Sequence, residues 1–342
     1  MGAVTIGGGA PVSVQSMANA EPHDAEALVK QVVACAERGC DIMRLTVPDI
    51  EAAKTLGEVK RRSPIPLVAD IHFDYRCALA AIEYGADALR INPGNIGSQD
   101  RVQAVARAAK AKGVPIRIGV NGGSLEKGET LVSSAMKHVA LLEREDFHDI
   151  VISAKASNVP ETLATYRELA ETTKYPLHLG VTEAGTLIPG AVRNSVALGI
   201  LLSEGIGDTI RVSLTAKPEK EVKVGLEILR ALGLREAGPS ITSCPTCGRT
   251  KVDLQRIATQ VEDALETIYN GELANSPERK IAKFPKVAVM GCAVNGPGEA
   301  KGADIALCGG DGEFLLYLKG EFKCKLTEDE AVGKVVEYAL SL

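Results

Sequence analysis

Residues 88–120 read ALRINPGNIGSQDRVQAVARAAKAKGVPIRIGV, and the fold turns on this stretch. A β-rich run, Ala88 to Ile91, precedes a segment with apolar residues at helical spacing, Gln99 to Lys112; Gly113 and a second run, Pro115 to Val120, follow. Short apolar runs alternating with helix-period segments build a parallel sheet flanked by helices. The pattern repeats in both directions. Further runs lie at Val12 to Met17, Ile42 to Thr46, Leu67 to Asp70, Asp149 to Ser153, Leu177 to Thr182 and Thr209 to Val212, with helical patterns at Asp24 to Arg38, Glu161 to Thr172 and Val192 to Glu204. Eight such units in about 235 residues match the size of a (β/α)8 TIM-type barrel, so the expected class is α/β. An open doubly wound sheet is the alternative, because a linear pattern does not show closure.

After Gly233 the rhythm changes, and Arg235-Glu-Ala-Gly-Pro239 reads as a linker. The expected domains are 1–235, the barrel, and 236–342, a small α+β module. The second holds a cysteine pair, a helix around Asp253 to Tyr269, a strand Lys286 to Met290, a hairpin from Glu313 to Lys325 and an amphipathic helix from Glu328 to Leu340.

At 342 residues and 45% hydrophobic, the chain can bury a large core. It has no apolar run of membrane-spanning length and no secretory pattern at its start, so a cytoplasmic protein is expected. Eight cysteines then read as reduced thiols, to be considered as metal ligands before disulfides. A net charge of -5 and the lack of Trp argue against nucleic acid as a partner.

In a barrel, chemistry gathers where strands end. Arg44, Arg90, Arg117, Lys155 and Arg211 all lie near predicted strand ends, in a chain that is acidic overall. Arg within a strand is out of place in a packed interior unless an anion neutralises it, and its fork suits phosphate oxygens. A phosphorylated small substrate follows, and several cations suit a diphosphate. Gln15, Ser16, Thr46, Asp70, His72, Asn92, Asn121, Ser153, His178, Glu183 and Ser213 enrich the same rim. Glu183, after the seventh run, could manage a proton or serve as a counter-ion to an arginine. His72 and His178 could equally be satisfied core groups.

Cys244-Pro-Thr-Cys247 is followed 45 residues later by Cys292 in a Gly/Pro-rich loop. Three cysteines fit an iron-sulfur cluster with a distinct fourth ligand, and Glu299 is the nearest oxygen donor. The alternative is structural zinc completed by Cys308 or Cys324. Cys35, Cys40 and Cys77 read as small buried residues.

The stretches Val14-Gln-Ser-Met17, Arg44-Leu-Thr-Val-Pro48, Arg90-Ile-Asn-Pro-Gly-Asn95, Arg117-Ile-Gly-Val-Asn121, Ser153-Ala-Lys155-Ala-Ser157, His178-Leu-Gly-Val-Thr-Glu183-Ala-Gly185, Ser203-Glu-Gly-Ile-Gly-Asp208, Cys244-Pro-Thr-Cys247 and Val294-Asn-Gly-Pro-Gly-Glu299-Ala300 resemble, in order, the 4-hydroxy-3-methylbut-2-enyl diphosphate synthase family. The resemblance spans nearly the whole chain. It implies a (β/α)8 barrel followed by a small α+β iron-sulfur domain. It also implies a cytoplasmic oxidoreductase of the non-mevalonate isoprenoid pathway, which opens the ring of 2-C-methyl-D-erythritol 2,4-cyclodiphosphate with two electrons and loss of water. By the family pattern, Arg44, Arg90, Arg117, Lys155, Arg211 and Ser213 hold the diphosphate, with Asn121 and His72 beside it. Cys244, Cys247, Cys292 and Glu299 ligate a [4Fe-4S] cluster, Glu299 yielding its iron to a substrate oxygen. Glu183 is the acid or base. Flavodoxin or ferredoxin is the electron donor, and a homodimer brings each cluster domain to the partner's barrel. One departure is Ala18-Asn19-Ala20, where the family usually has Thr-Asn-Thr.

Overall fold

The structure is a computed structural model that describes residues 1–235, 238–275, 284–294 and 296–341; within these, 93, 94, 124, 270–275, 297 and 299 are described by backbone alone. The chain divides into two compact units, Met1–Arg235 and Glu236–Leu342.

In the first unit the predicted runs form β1 (Ser13–Met17), β2 (Ile42–Thr46), β3 (Leu67–Ile71), β4 (Ala88–Ile91), β5 (Ile116–Asn121), β6 (Ile150–Lys155), β7 (His178–Leu179) and β8 (Thr209–Ile210). Their order is β6-β5-β4-β3-β2-β1-β8-β7, and a parallel bridge from Ile152 to Leu177 joins the two ends. The sheet therefore closes as a barrel, and the open-sheet alternative falls. The last two strands are much shorter than their sequence runs. Beyond Leu179 only single backbone bonds continue, such as Arg211 N–H to Leu179 O at 3.0 Å.

Helix starts follow from local chemistry. Asp24, Asp49, Asp74 and Asn158 each accept a backbone N–H of the helix that follows, satisfying a donor the helix cannot. The helix Leu187–Ser203 begins before the expected Val192 because Pro189 falls in its first turn, where a missing N–H costs nothing. At the N-terminal end of the barrel, Ile42, Val68 and Ala88 are buried under Met1, Val4 and Ile6, so that end is plugged. Polar inward residues are thereby left to the other end.

The second unit is a sheet in the order β13-β12-β11-β10-β9, built from β9 (Ser240–Ser243), β10 (Lys286–Met290), β11 (Ile305–Gly309), β12 (Phe314–Leu318) and β13 (Glu321–Leu326). β9, β10 and β11 are parallel, while β12 and β13 form the expected hairpin. One face is covered by Leu254, Ile257, Val261 and Leu265 of the helix Leu254–Asn275 and by Ala331 and Val335 of the helix Glu328–Ser341. Among the described residues no helix is long and apolar enough to cross a membrane.

Candidate active site

Parallel neighbours in register point the same way, so Asp70 stands beside Arg90 and Arg90 beside Arg117. Asp70 is 2% exposed; its Oδ2 lies 3.6 Å from Arg44 Nε and 3.4 Å from His72 Nε2, and its Oδ1 accepts from Arg90 Nη1 at 3.2 Å. Across the barrel Glu221 pairs with Arg211. Arg117, 1% exposed, donates to Gln15 Oε1 at 2.6 Å, while its Nε and Nη2 have no partner. Among the described residues Lys155 pairs with no carboxylate. Five cations thus meet two carboxylates.

The electrostatics show the imbalance. Burial, opposed by Asp70 and aided by Arg211 and Arg90, brings Arg44 down to about 10. Arg117 and Lys155 are pushed well below their ordinary values, first by burial and then by the neighbouring cations. Burial opposes ionisation of Asp70, but Arg44, the His72 hydrogen bond and Arg90 outweigh it and hold the carboxyl well below its usual range. Two like charges about 7 Å apart at an effective dielectric near 20 repel by roughly 2 kcal/mol. An anion of two or more charges at this mouth relieves several such repulsions at once.

Two glycines seat the cations. A Cβ on Gly119 would stand 2.1 Å from Arg90 Nε, and one on Gly180 would stand 2.7 Å from Lys155 Nζ and 2.5 Å from the Arg211 carbonyl oxygen. Neither sequence position drew notice, because glycine in a strand usually signals a bulge.

The remaining rim residues divide. His72 is about half exposed above Asp70, Asn121 is exposed at the end of β5, and Ser213 is half-buried beyond β8. Glu183 is exposed and forms no ion pair among the described residues. Its φ of +53° is unusual for a non-glycine residue and marks a held conformation. His178 is not a rim residue: it is fully buried, with Nδ1 3.4 Å from Thr209 Oγ1 and Nε2 unpartnered. Ser16 faces outward, donating to Glu221 at 2.8 Å. The Ala18-Asn19-Ala20 segment is held by Gln31, whose Oε1 accepts from Asn19 and Ala20 N–H at 3.1 Å. Glu221 went unread in the sequence, although a Glu on the same helical face as Val222, Leu226 and Leu229 was the available signal.

In the second unit, β9 and β10 are parallel neighbours with Ser243 opposite Val289, so Cys244 and Cys292 leave the same end of the sheet. Cys244 Sγ accepts from Gly291 N–H at 3.0 Å. A Cβ on Gly291 would stand 2.7 Å from Thr250 Oγ1, so glycine there lets the Cys247 turn settle onto the loop that carries Cys292. Backbone and side-chain hydrogen bonds from Arg249 lower the Cys247 thiol below its ordinary value. Three thiols at one sheet end, with N–H groups aimed at sulfur, are a donor set suited to a thiolate-held metal centre. Among the described residues no three His, Cys, Asp or Glu side chains already form a metal set. The Glu299 side chain lies outside the described residues. Cys324 sits on β13, four strands from β9 and so about 19 Å away, too far to complete the set. Cys308 is fully buried among Met290, Ala300 and Ala306, and Cys35, Cys40 and Cys77 are buried in the barrel unit.

A model of the GcpE TIM-barrel domain matches residues 1–226, and a model of the GcpE protein C-terminal domain matches 240–340. The chain belongs to the GcpE family. A relative from Maridesulfovibrio salexigens is 54% identical over 340 residues, covering 96% of this chain and 91% of its own. Another, from Ruminiclostridium cellulolyticum, is 51% identical over 347 residues, covering 98% of this chain and 95% of its own. Both are named 4-hydroxy-3-methylbut-2-en-1-yl diphosphate synthase (flavodoxin). Among solved structures, the Yersinia pestis dihydropteroate synthase aligns with a TM-score of 0.51 over 65% of this chain and 93% of its own; at 12% identity it bears on the fold alone. That alignment covers about as much of the GcpE chain as its barrel unit spans.

Proposed function

We propose that this GcpE chain is a cytoplasmic oxidoreductase that opens the ring of 2-C-methyl-D-erythritol 2,4-cyclodiphosphate to give 4-hydroxy-3-methylbut-2-enyl diphosphate, consuming two electrons and releasing water. The observation that carries this reading is the excess of inward cations, Arg44, Arg90, Arg117, Lys155 and Arg211, over the carboxylates Asp70 and Glu221. The relatives' names supply the electron donor, flavodoxin.

In this reading the five cations bind the diphosphate, and the two unpartnered donors of Arg117 turn to its oxygens. Ser213, Asn121 and His72 contribute from the rim. Opening the ring frees a diphosphate oxygen, and cations already fixed by Asp70, Gln15 and Glu221 stabilise that charge without reorganising. Glu183, held exposed at the mouth, moves the proton that accompanies loss of the hydroxyl. Cys244, Cys247, Cys292 and Glu299 would hold a [4Fe-4S] cluster. When bound, that group supplies electrons one at a time at low potential.

A homodimer belongs to the same proposal. Arg235, the last residue of the barrel unit, is clamped to Asp41 at 2.7 and 3.0 Å, just before β2 and so at the end opposite the mouth. The helix Leu187–Ser203 also exposes Leu187, Ile188, Val192 and Val196 beside a groove of about 690 Å³, an apolar face suited to a second copy. Anaerobically purified protein should carry about four iron and four sulfide per chain. Colourless protein holding only zinc after cluster reconstitution contradicts the proposal.

A further inference from the structure

The helix Pro218–Ala231 turns Glu221, Val222, Gly225, Leu226 and Leu229 toward the barrel. A buried carboxylate on such a face is costly unless fully paired. Glu221, 3% exposed, meets that condition. Its Oε1 accepts from Arg211 Nη2 at 3.1 Å and from Leu214 N–H at 3.0 Å; its Oε2 accepts from Ser16 Oγ at 2.8 Å and from Arg211 Nε at 3.3 Å.

Arg211 needs such a hold. β8 pairs with β1 only through Ser13 with Thr209 and Val14 with Ile210, so Arg211 stands just beyond the ladder. Its backbone N–H reaches Leu179 O on the β7 side, and nothing in the ladder fixes it on the β1 side. Glu221 bridges that gap by binding Ser16 on β1, the Leu214 backbone and the Nε–Nη2 edge of the guanidinium. A two-pronged grip fixes the guanidinium plane and leaves Nη1 free for another acceptor.

We propose that Glu221 is a positioning residue for the anion site: it sets the plane in which Arg211 meets the diphosphate. This rests on reading the cation layer as the diphosphate site. Two physical effects of Glu221 oppose each other. As a charge near the ligand it repels an anion, so a residue that were only a counter-ion would, on removal, let the anion bind more tightly. As an orienting group it keeps Arg211 poised, so removal weakens binding. The sign of the change separates the two roles.

The test is calorimetric titration of the full-length, cluster-loaded protein with 2-C-methyl-D-erythritol 2,4-cyclodiphosphate. Glu221→Gln should raise Kd about tenfold, with KM rising more than kcat falls, the loss expected when one charge-assisted contact is misaligned. Combined with Arg211→Ala, it should add nothing to the loss caused by Arg211→Ala alone. Glu221→Asp keeps the charge but shortens the reach, so it too should weaken binding, and it answers the question if the Gln variant does not fold. Unchanged or tighter binding in Glu221→Gln, an additive double variant, or wild-type binding in Glu221→Asp overturns the proposal. If Arg211→Ala and Arg117→Ala also leave Kd unchanged, the diphosphate site itself has been misread.

Discussion

Gly119→Ala is a one-carbon change whose consequence can be worked from the structure. The new Cβ would stand 2.1 Å from Arg90 Nε and 2.7 Å from both Cζ and Nη2. Ordinary contact begins near 3.4 Å, so the guanidinium must retreat by about 1 Å or more. Arg90 holds Asp70 Oδ1 and the Gly119 carbonyl at 3.2 Å each, and a shift of that size breaks both bonds. Hydrogen bonds to charged groups contribute about 1.5–3 kcal/mol each; with partial re-pairing at the rim, a net loss of about 2 kcal/mol, or roughly 30-fold in Kd for the cyclic diphosphate, is expected. The Gly119 backbone is not in the left-handed region, so no backbone strain is added and far-UV circular dichroism should match wild type. Gly122→Ala is the control, because nothing lies within 4 Å of its Cβ position. Wild-type affinity in Gly119→Ala would refute the seating argument, as would an equal loss in Gly122→Ala.

Arg117→Ala should weaken cyclic diphosphate binding by about 2–3 kcal/mol while iron content stays at the wild-type level; loss of iron instead would give Arg117 a structural role. His178 lies far below its usual value near 6.5 because burial, then Arg117 and Lys155, disfavour its charged form. The unfolded chain therefore takes up a proton that the folded chain does not, and stability falls as pH drops below that usual value. From about pH 7.5 to about pH 5.5 this single group should cost about 1.4 kcal/mol in urea unfolding of the barrel, and His178→Gln should remove that component; an unchanged slope in the variant contradicts the assignment. Glu299→Ala should retain iron but alter the visible and electron paramagnetic resonance spectra and slow turnover, whereas an unchanged spectrum removes Glu299 from the ligand set.

The barrel was legible because each strand-to-helix alternation, as in Ala88 to Val120, is a local pattern set by which faces are buried. Closure was not, since it depends on β1 pairing with β8, Val14 opposite Ile210, whose sequence separation hides it. β9 and β11 were missed for a related reason: β9 is short and mostly exposed, and β11 lies in a stretch whose apolar residues carry no alternation because both its faces are covered. At the site, the cations could be read because Arg in an apolar strand is anomalous by itself. The groups that place them were harder to see. Gly119 and Gly180 matter for what is absent, and Glu221 looks like an ordinary first-turn acid until its helical face is compared with the barrel it packs on. His178, which the sequence left open between the rim and the core, lies fully buried with Nε2 unpartnered.

The central claim is a reductive ring opening on a cationic diphosphate site. Its most direct test is to incubate anaerobically prepared protein of known iron and sulfide content with 2-C-methyl-D-erythritol 2,4-cyclodiphosphate, with and without reduced flavodoxin, and to follow the diphosphates by phosphorus NMR. The account predicts 4-hydroxy-3-methylbut-2-enyl diphosphate only when the reductant is present. Protein with full iron and sulfide that leaves the cyclic diphosphate intact, or that converts it equally well without reductant, would contradict it.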